Sequence, residues 1–277
     1  MCIFCSTKLH PDGQAILSIG PWAENKLHYL NYYASLFTSG MKKHWGETAF
    51  IDLFSGPGLC ALRTNQVKVI KGSPLIALSQ KTAFSRYVFV DSDESHIAAL
   101  EKRMRELAPQ SKKLLLRGDC NDPEILDKIM QFIPENALCL AFIDPFKCDI
   151  AFNTIQTLTT SRRVDIILTF QIGGMQRGAG YSPVSLNRFF GDKGKWHEIY
   201  TTTSKGRKIR ALLDYYRQRL STLDYLDQNY PSEVAIVNSK NRTIYYMVFA
   251  SKHPLGQDFW QKSILRTAGG ARKFPGF

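Results

Sequence analysis

The sequence predicts an α/β protein built on a mostly parallel, doubly wound sheet, and three observations predict it. Four apolar runs, at 50–52, 87–91, 114–119 and 140–144, close on Asp52, Asp91, Asp119 and Asp144. The intervals between them, such as 95–107 and 123–132, carry apolar residues at helical spacing. The first run passes through Leu53, Phe54 and Ser55 into Gly56-Pro57-Gly58, a pair of glycines suited to a tight turn where backbone approaches a ligand. Unbroken apolar runs mark strands buried on both faces. Their alternation with helices argues a parallel sheet covered on both sides.

The elements follow in order. Residues 1–20 read as a polar, irregular segment. From 22 to about 38, Leu27, Leu30, Tyr33, Ala34 and Phe37 fall on one face of a helix. The sheet core runs from about 48 to 170, with 164–170 as a fifth parallel strand and the helix before it starting near Ala151. Residues 173–180, with glycines at 173, 174, 178 and 180, read as a flexible loop leaving that strand, either a substrate lid or a plain connection. A basic helix is expected over about 207–221. Two strands, 233–237 and 243–250, then flank Asn238-Ser239-Lys240-Asn241 as a hairpin. The expected division is an N-terminal extension and helix (1–45), one domain (46–268) with a variable segment (171–206), and a tail (269–277).

A strand ending in an acid and followed by Gly-x-Gly is where open sheets bind nucleotide-like cofactors. A dinucleotide site wants a third glycine, but Leu59, Cys60 and Ala61 follow Gly58, and no Walker lysine pattern exists. The missing phosphate cradle favours a cofactor without phosphates, and S-adenosyl-L-methionine fits. Asp52, Phe54, Gly56 and Gly58 are then expected near its amino-acid part, and Asp91 with Asp93 at the ribose hydroxyls. Asp119 is expected at the adenine amine. A carboxylate suits a diol because it only accepts and takes two O–H donors at once. Any single aspartate here has another explanation, as a helix cap.

The chemistry is expected at Asp144-Pro145-Phe146-Lys147. Enzymes that methylate exocyclic amines of bases carry Asp/Asn-Pro-Pro-aromatic at this strand end, where the carboxylate accepts amine hydrogens and the ring stacks on the base. Here the second proline is absent and Phe146 falls one place early. Asp144 and Phe146 are candidates for substrate polarisation and stacking, beside the alternative that Pro145 ends the strand and Phe146 fills core.

The chain resembles the three-Cys-motif partner protein family. The blocks that carry the resemblance are Gly20-Pro21-Trp22 with Lys26, residues 50–58, Gly72-Ser73-Pro74-Leu75, Phe89-Val90-Asp91 and Gly118-Asp119. Further on come Ile143-Asp144-Pro145-Phe146, Phe189-Phe190-Gly191 and Ala250-Ser251-Lys252-His253-Pro254-Leu255. The resemblance implies a Rossmann-like methyltransferase fold, an S-adenosyl-L-methionine cofactor and a three-Cys-motif partner protein. It also suggests that Lys26 pairs with the cofactor carboxylate, against the alternative of a solvated lysine; Glu24 and His28 are weaker candidates.

Composition bounds the rest. At 277 residues the chain has the size of one elaborated α/β domain, with 44% hydrophobic residues to fill a core. No apolar run is long enough to cross a membrane, and no signal-like stretch opens the chain, so a cytoplasmic location is expected. Six scattered cysteines suggest reduced thiols. Cys2 and Cys5 with His10 make half a zinc site at best, so no metal is expected, and Cys148 lacks the proline that would mark a pyrimidine-attacking nucleophile. His253 is expected to cap or pack.

A net charge of +12 favours polyanionic partners. Basic clusters lie at 42–44, 102–105 and 112–113, and Lys205, Arg207, Lys208 and Arg210 precede Tyr215 and Tyr216. Basic residues beside tyrosines suit backbone contact plus base stacking, or else the tyrosines pack under an amphipathic helix. The reading is an S-adenosyl-L-methionine-dependent methyltransferase acting on nucleic acid. The alternatives are a non-catalytic basic adaptor working with its partner, or an enzyme using the cofactor for another reaction.

Overall fold

A computed structural model describes residues 7–64, 68–181, 183–226 and 232–270. Two short strands, β1 (Thr7–Leu9) and β2 (Ala15–Ile19), lead into the long helix α1 (Ala23–Met41). The central strand β3 (Thr48–Asp52) runs into the glycine turn, and a hairpin, β4 (Leu59–Leu62) and β5 (Lys68–Lys71), precedes the short helix α2 (Ser73–Leu78). Then come β6 (Arg86–Asp91), α3 (Glu94–Leu107), β7 (Lys112–Arg117), α4 (Pro123–Phe132), β8 (Leu138–Ile143), α5 (Phe152–Thr160) and β9 (Arg163–Gln171). Four helices follow: α6 (Ile172–Tyr181), α7 (Pro183–Phe190), α8 (Lys195–Thr202) and α9 (Lys208–Ser221). The hairpin β10 (Glu233–Val237) and β11 (Thr243–Ala250) and helix α10 (Pro254–Ile264) complete the described chain.

Seven strands form the main sheet in the order β10-β11-β9-β8-β3-β6-β7, with β11 antiparallel to both its neighbours. This is the expected doubly wound sheet with its antiparallel hairpin. The chain winds outward from β3 through β6 to β7, then returns to the other side of β3 as β8 and β9. The order therefore reverses beside β3, and a crevice opens at the carboxyl ends of the strands there. Every residue of β3 and β8 is buried. Helices α1, α2, α3 and α10 pack on one face, and α4, α5, α7 and α9 on the other.

Two expectations are corrected. Residues 7–19 are not irregular: β1 and β2 join β4 and β5 in a second, four-stranded sheet. Arg103 on α3 clamps that sheet to the glycine turn, donating to the carbonyls of Ala15 (2.8 Å) and Pro57 (2.6 Å) and pairing with Asp12 at 2.9 Å. It is 6% exposed, so this member of the 102–105 basic cluster is structural. Residues 173–180 are not a loop but part of α6, whose glycines allow close packing. A side chain at Gly174 would lie 3.2 Å from Cys148 Sγ, and one at Gly178 would lie 2.9 Å from Leu186. Cys2, Cys5 and residues 271–277 of the tail lie outside the described residues.

Candidate functional site

The crevice beside β3 is a cleft with two lobes that share Phe54 and Phe146 as their dividing wall. Phe146 is 40% exposed, which removes the core-filling alternative. Its ring faces both lobes because the chain after β8 turns away at the buried Pro145.

The first lobe, a cavity of about 330 Å³, lies over the ends of β6 and β7. Its polar walls are Asp91, Asp119 and Asp149 against a single guanidinium, Arg188. Asp91 is held rigidly: Oδ2 accepts from the N–H of Gly56 at 2.7 Å, and Oδ1 accepts from the N–H of Asp93 at 2.9 Å and faces His96 at 3.2 Å. Two oxygens offer about four acceptor sites, so one remains for a ligand. Asp119 accepts from both nitrogens of Asn121, whose side chain also reaches the Asp149 carbonyl and Thr154. This lobe gathers Asp91 and Asp119, nominated by sequence, with Asp149 and Arg188, which were not.

The second lobe, about 450 Å³, lies between the glycine turn, β2, the start of α1, and the β9–α6 junction. Lys26 and Asp144, separated by 118 residues, form an ion pair here with side chains only 12% and 20% exposed. Burial opposes the charge on Lys26, but the Asp144 carboxylate outweighs it and holds the ammonium above its ordinary pKa. Lys26 is therefore not a solvated lysine. Oδ1 of Asp144 and Oγ of Ser55, both in this lobe, are buried without a hydrogen-bond partner among the described residues. Three more cations line it, Arg63, Arg177 and Arg242, while Asp144 pairs with Lys26.

Glycine is required at the turn. Gly56 and Gly58 have φ of +61° and +88°, and a side chain at Gly56 would meet Leu17 at 2.8 Å. Gly72 closes the inserted hairpin by donating to the carbonyl of Gly58 at 2.7 Å. The Gly20-Pro21-Trp22 block also has a steric cause: the Trp22 ring lies where a Cβ on Gly20 would be, 2.2 Å away. Trp22 then lines the second lobe, with Arg63 over its ring at 6.0 Å.

Several nominated residues lie elsewhere. Asp52 is fully buried and lines neither lobe; it sits beneath the floor, accepting from Ser73 and, at 3.2 Å, from the N–H of Phe54. Burial, only partly offset by those hydrogen bonds, pushes its carboxyl up to about 7, and Asp144 and Asp91 add to the rise. Asp93 faces away from the cleft and caps α3, accepting from the N–H groups of Ser95 and His96. Cys148 lines the first lobe, but it is largely buried against Met175, and burial pushes its thiol pKa up, which disfavours the thiolate a nucleophile needs. His253 caps α10 through Nδ1, as expected.

The basic segment before and on α9 is also outside the cleft. Arg210 pairs with Asp214 at 2.9 Å and Glu233 at 2.6 Å, and Lys208 lies over Tyr200 at 4.4 Å. Lys205 and Arg207 are exposed. Tyr216 is fully buried, stacked on Phe189 with centroids 4.5 Å apart, and Tyr215 donates to Asp192. The packing alternative holds for both tyrosines.

No protein-family model matches the chain, and no curated protein does. Solved structures of similar fold exist. Protein LPL1258 of Legionella pneumophila is 11% identical with a TM-score of 0.50, covering 88% of this chain and 91% of its own. Trm1 of Pyrococcus horikoshii, solved with S-adenosyl-L-methionine, is 11% identical at a TM-score of 0.48, over 86% of this chain and 58% of its own. An O-methyltransferase of Bacillus cereus, solved with S-adenosylhomocysteine, is 12% identical at 0.48, over 80% of each chain. No described helix is long and apolar enough to cross a membrane. At such identities the likeness is one of fold: the chain is a doubly wound α/β protein with a mostly parallel seven-stranded sheet and an antiparallel hairpin.

Proposed function

We propose that this protein is an S-adenosyl-L-methionine-dependent methyltransferase whose acceptor is a nucleic acid. The observation that carries the reading is the two-lobed cleft at the strand-order reversal, with carboxylates on one side of a Phe54–Phe146 wall and the Lys26–Asp144 pair on the other. The residues fit the cofactor: the spare acceptor site on Asp91 suits one ribose hydroxyl, and Asp119 an adenine amine. Lys26 and the unpartnered Ser55 Oγ suit the amino-acid end, with the Gly56–Gly58 turn letting backbone come close.

When bound, the cofactor supplies an electrophilic methyl on a sulfonium, and the bonding pair stays on sulfur. The protein's part is positioning and exclusion of water. Phe146 offers a face on which a planar base stacks, next to Asp144 Oδ1 as an acceptor for an amine hydrogen. An amine held there would have its lone pair free to take the methyl and would release its surplus proton to solvent once the cleft reopens. Lys26 holds the Asp144 carboxylate in place. Asp52 acts one layer below, fixing the glycine turn through Phe54 and Ser73.

The resemblance to three-Cys-motif partner proteins points the same way, since its blocks from Gly20-Pro21-Trp22 to Asp144-Pro145-Phe146 converge on this cleft. The test is transfer of labelled methyl from the cofactor to single-stranded RNA and DNA. Label in polymer, abolished in Asp144→Asn but not in Cys148→Ala, is the expected result. Cofactor fragments released without any acceptor would replace methyl transfer with another use of the cofactor.

A further inference from the structure

The two lobes differ in sign, and this difference assigns a surface. The first lobe is acidic; the second has Arg63, Arg177 and Arg242 in its wall, and Asp144, the one carboxylate among its described lining residues, is engaged by Lys26. All three arginines are exposed, and none has an acidic partner among the described residues. They come from three separate elements: the end of β4, helix α6, and the turn before β11. Arg210 and Arg103, by contrast, are matched, the first by Asp214 and Glu233 and the second by Asp12. Guanidinium groups left unmatched around a cavity mouth suit a phosphate, which they bind in a fork geometry.

We infer that Arg63, Arg177 and Arg242 form the rim that grips the phosphates of a single-stranded nucleic acid, with the target nucleotide entering the second lobe to stack on Phe146. The inference rests on the proposed methyl-transfer reading and names where its substrate binds. It moves the nucleic-acid contact from the Lys205–Arg210 segment, which the sequence favoured, to the cleft mouth. A single strand is favoured because the aromatic face lies in the cleft, where a duplex base arrives only after extrusion, at a cost a single strand does not bear.

The test is fluorescence-anisotropy binding of labelled 12-nucleotide RNA and DNA, single- and double-stranded, over a range of salt. Wild type is compared with an Arg63→Gln/Arg177→Gln/Arg242→Gln variant and a Lys205→Gln/Arg207→Gln/Lys208→Gln variant. The rim variant is expected to bind single strands at least about tenfold more weakly. Its salt slope is expected to fall by about 2, at roughly 0.7 for each phosphate no longer neutralised. The 205–208 variant is expected to bind within about twofold of wild type. Calorimetric titration of the rim variant with S-adenosylhomocysteine is expected to match wild type, which shows the fold and cofactor lobe intact and keeps this test separate from that of methyl transfer. The inference is overturned if the 205–208 variant loses binding and the rim variant keeps it, or if duplex binds better than single strand. It is equally overturned if a mononucleotide competes as well as the oligomer per phosphate, which would make the ligand a small phosphorylated molecule. RNA against DNA is read directly from the two probes.

Discussion

The lobe over β6 and β7 and the lobe beside β9 and α6 share two phenylalanines and little else. The first is walled by carboxylates already braced by backbone N–H groups and by Asn121. The second is walled by cations drawn from distant segments, with Lys26 and Asp144 as its internal pair. Rigid acceptors suit a ligand rich in hydroxyl and amine donors, and exposed guanidinium groups suit a polyanion. The contrast fits the proposed division of labour, with the cofactor's ribose and adenine at the regular strand ends and the nucleic acid at the decorations of the sheet.

The comparison can be broken or sharpened by substitution. The largest effect is expected from Lys26→Met, which leaves a mostly buried Asp144 uncompensated. Breaking such a pair costs about 3 kcal/mol, the low end for buried pairs because some solvent reaches it. Urea unfolding of the single variants and the Lys26→Met/Asp144→Leu double variant checks this, and the double is expected to recover most of the deficit. A Lys26→Met protein as stable as wild type would mean the pair does not organise the second lobe.

Asp91→Asn acts chiefly on the first lobe, the asparagine oxygen still able to accept from the Gly56 N–H. Removing a charged acceptor for the diol is expected to weaken cofactor binding by about 1.5–3 kcal/mol, with single-strand binding unchanged. Asp52→Asn separates floor from wall. Its carboxyl is raised to about 7, so folding favours the protonated form, and wild-type stability falls as pH rises from about 4 through about 7. In thermal melts recorded between pH 4 and 8 the asparagine variant is expected to lose the share of that pH dependence due to Asp52 and to keep that of Asp165, whose buried carboxyl is pushed up to about 6. A wild-type curve flat across this window would deny that burial disfavours the Asp52 carboxylate. The smallest effect is Asp93→Ala, about 1 kcal/mol from removing the cap of α3, with cofactor affinity intact.

That last contrast shows where sequence reading stops. Asp91 and Asp93 sit two residues apart with the same side chain, yet one faces the cleft and the other caps a helix. Composition cannot separate them, because a cap and a ligand acceptor ask for the same carboxylate. Strands β3, β6 and β8 and the β10–β11 hairpin were legible from apolar runs and turn residues, since burial on both faces demands them. The small sheet was not, because β4 and β5 are four-residue strands and β5 is largely exposed. Helix α6 was hidden by its glycines, which lower helix propensity by about 1 kcal/mol each but permit close packing on Cys148 and Leu186.

The candidate site was legible to a similar degree. Lys26, Asp91, Asp119, Asp144 and Phe146 were each named from local pattern or resemblance, and the fold brings them into one cleft. Asp149, Arg188 and the three rim arginines carried no local signal. They reach the cleft only through long-range packing, such as that of α6 against α7 and of β11 against β9.

The most direct test is calorimetric titration of the purified protein with S-adenosyl-L-methionine and S-adenosylhomocysteine, beside Asp91→Asn. The account predicts micromolar binding of both by wild type, weakened about tenfold or more in the variant. A well-folded wild type that binds neither, or an Asp91→Asn protein that binds both as wild type does, would contradict the assignment of the acidic lobe to the cofactor.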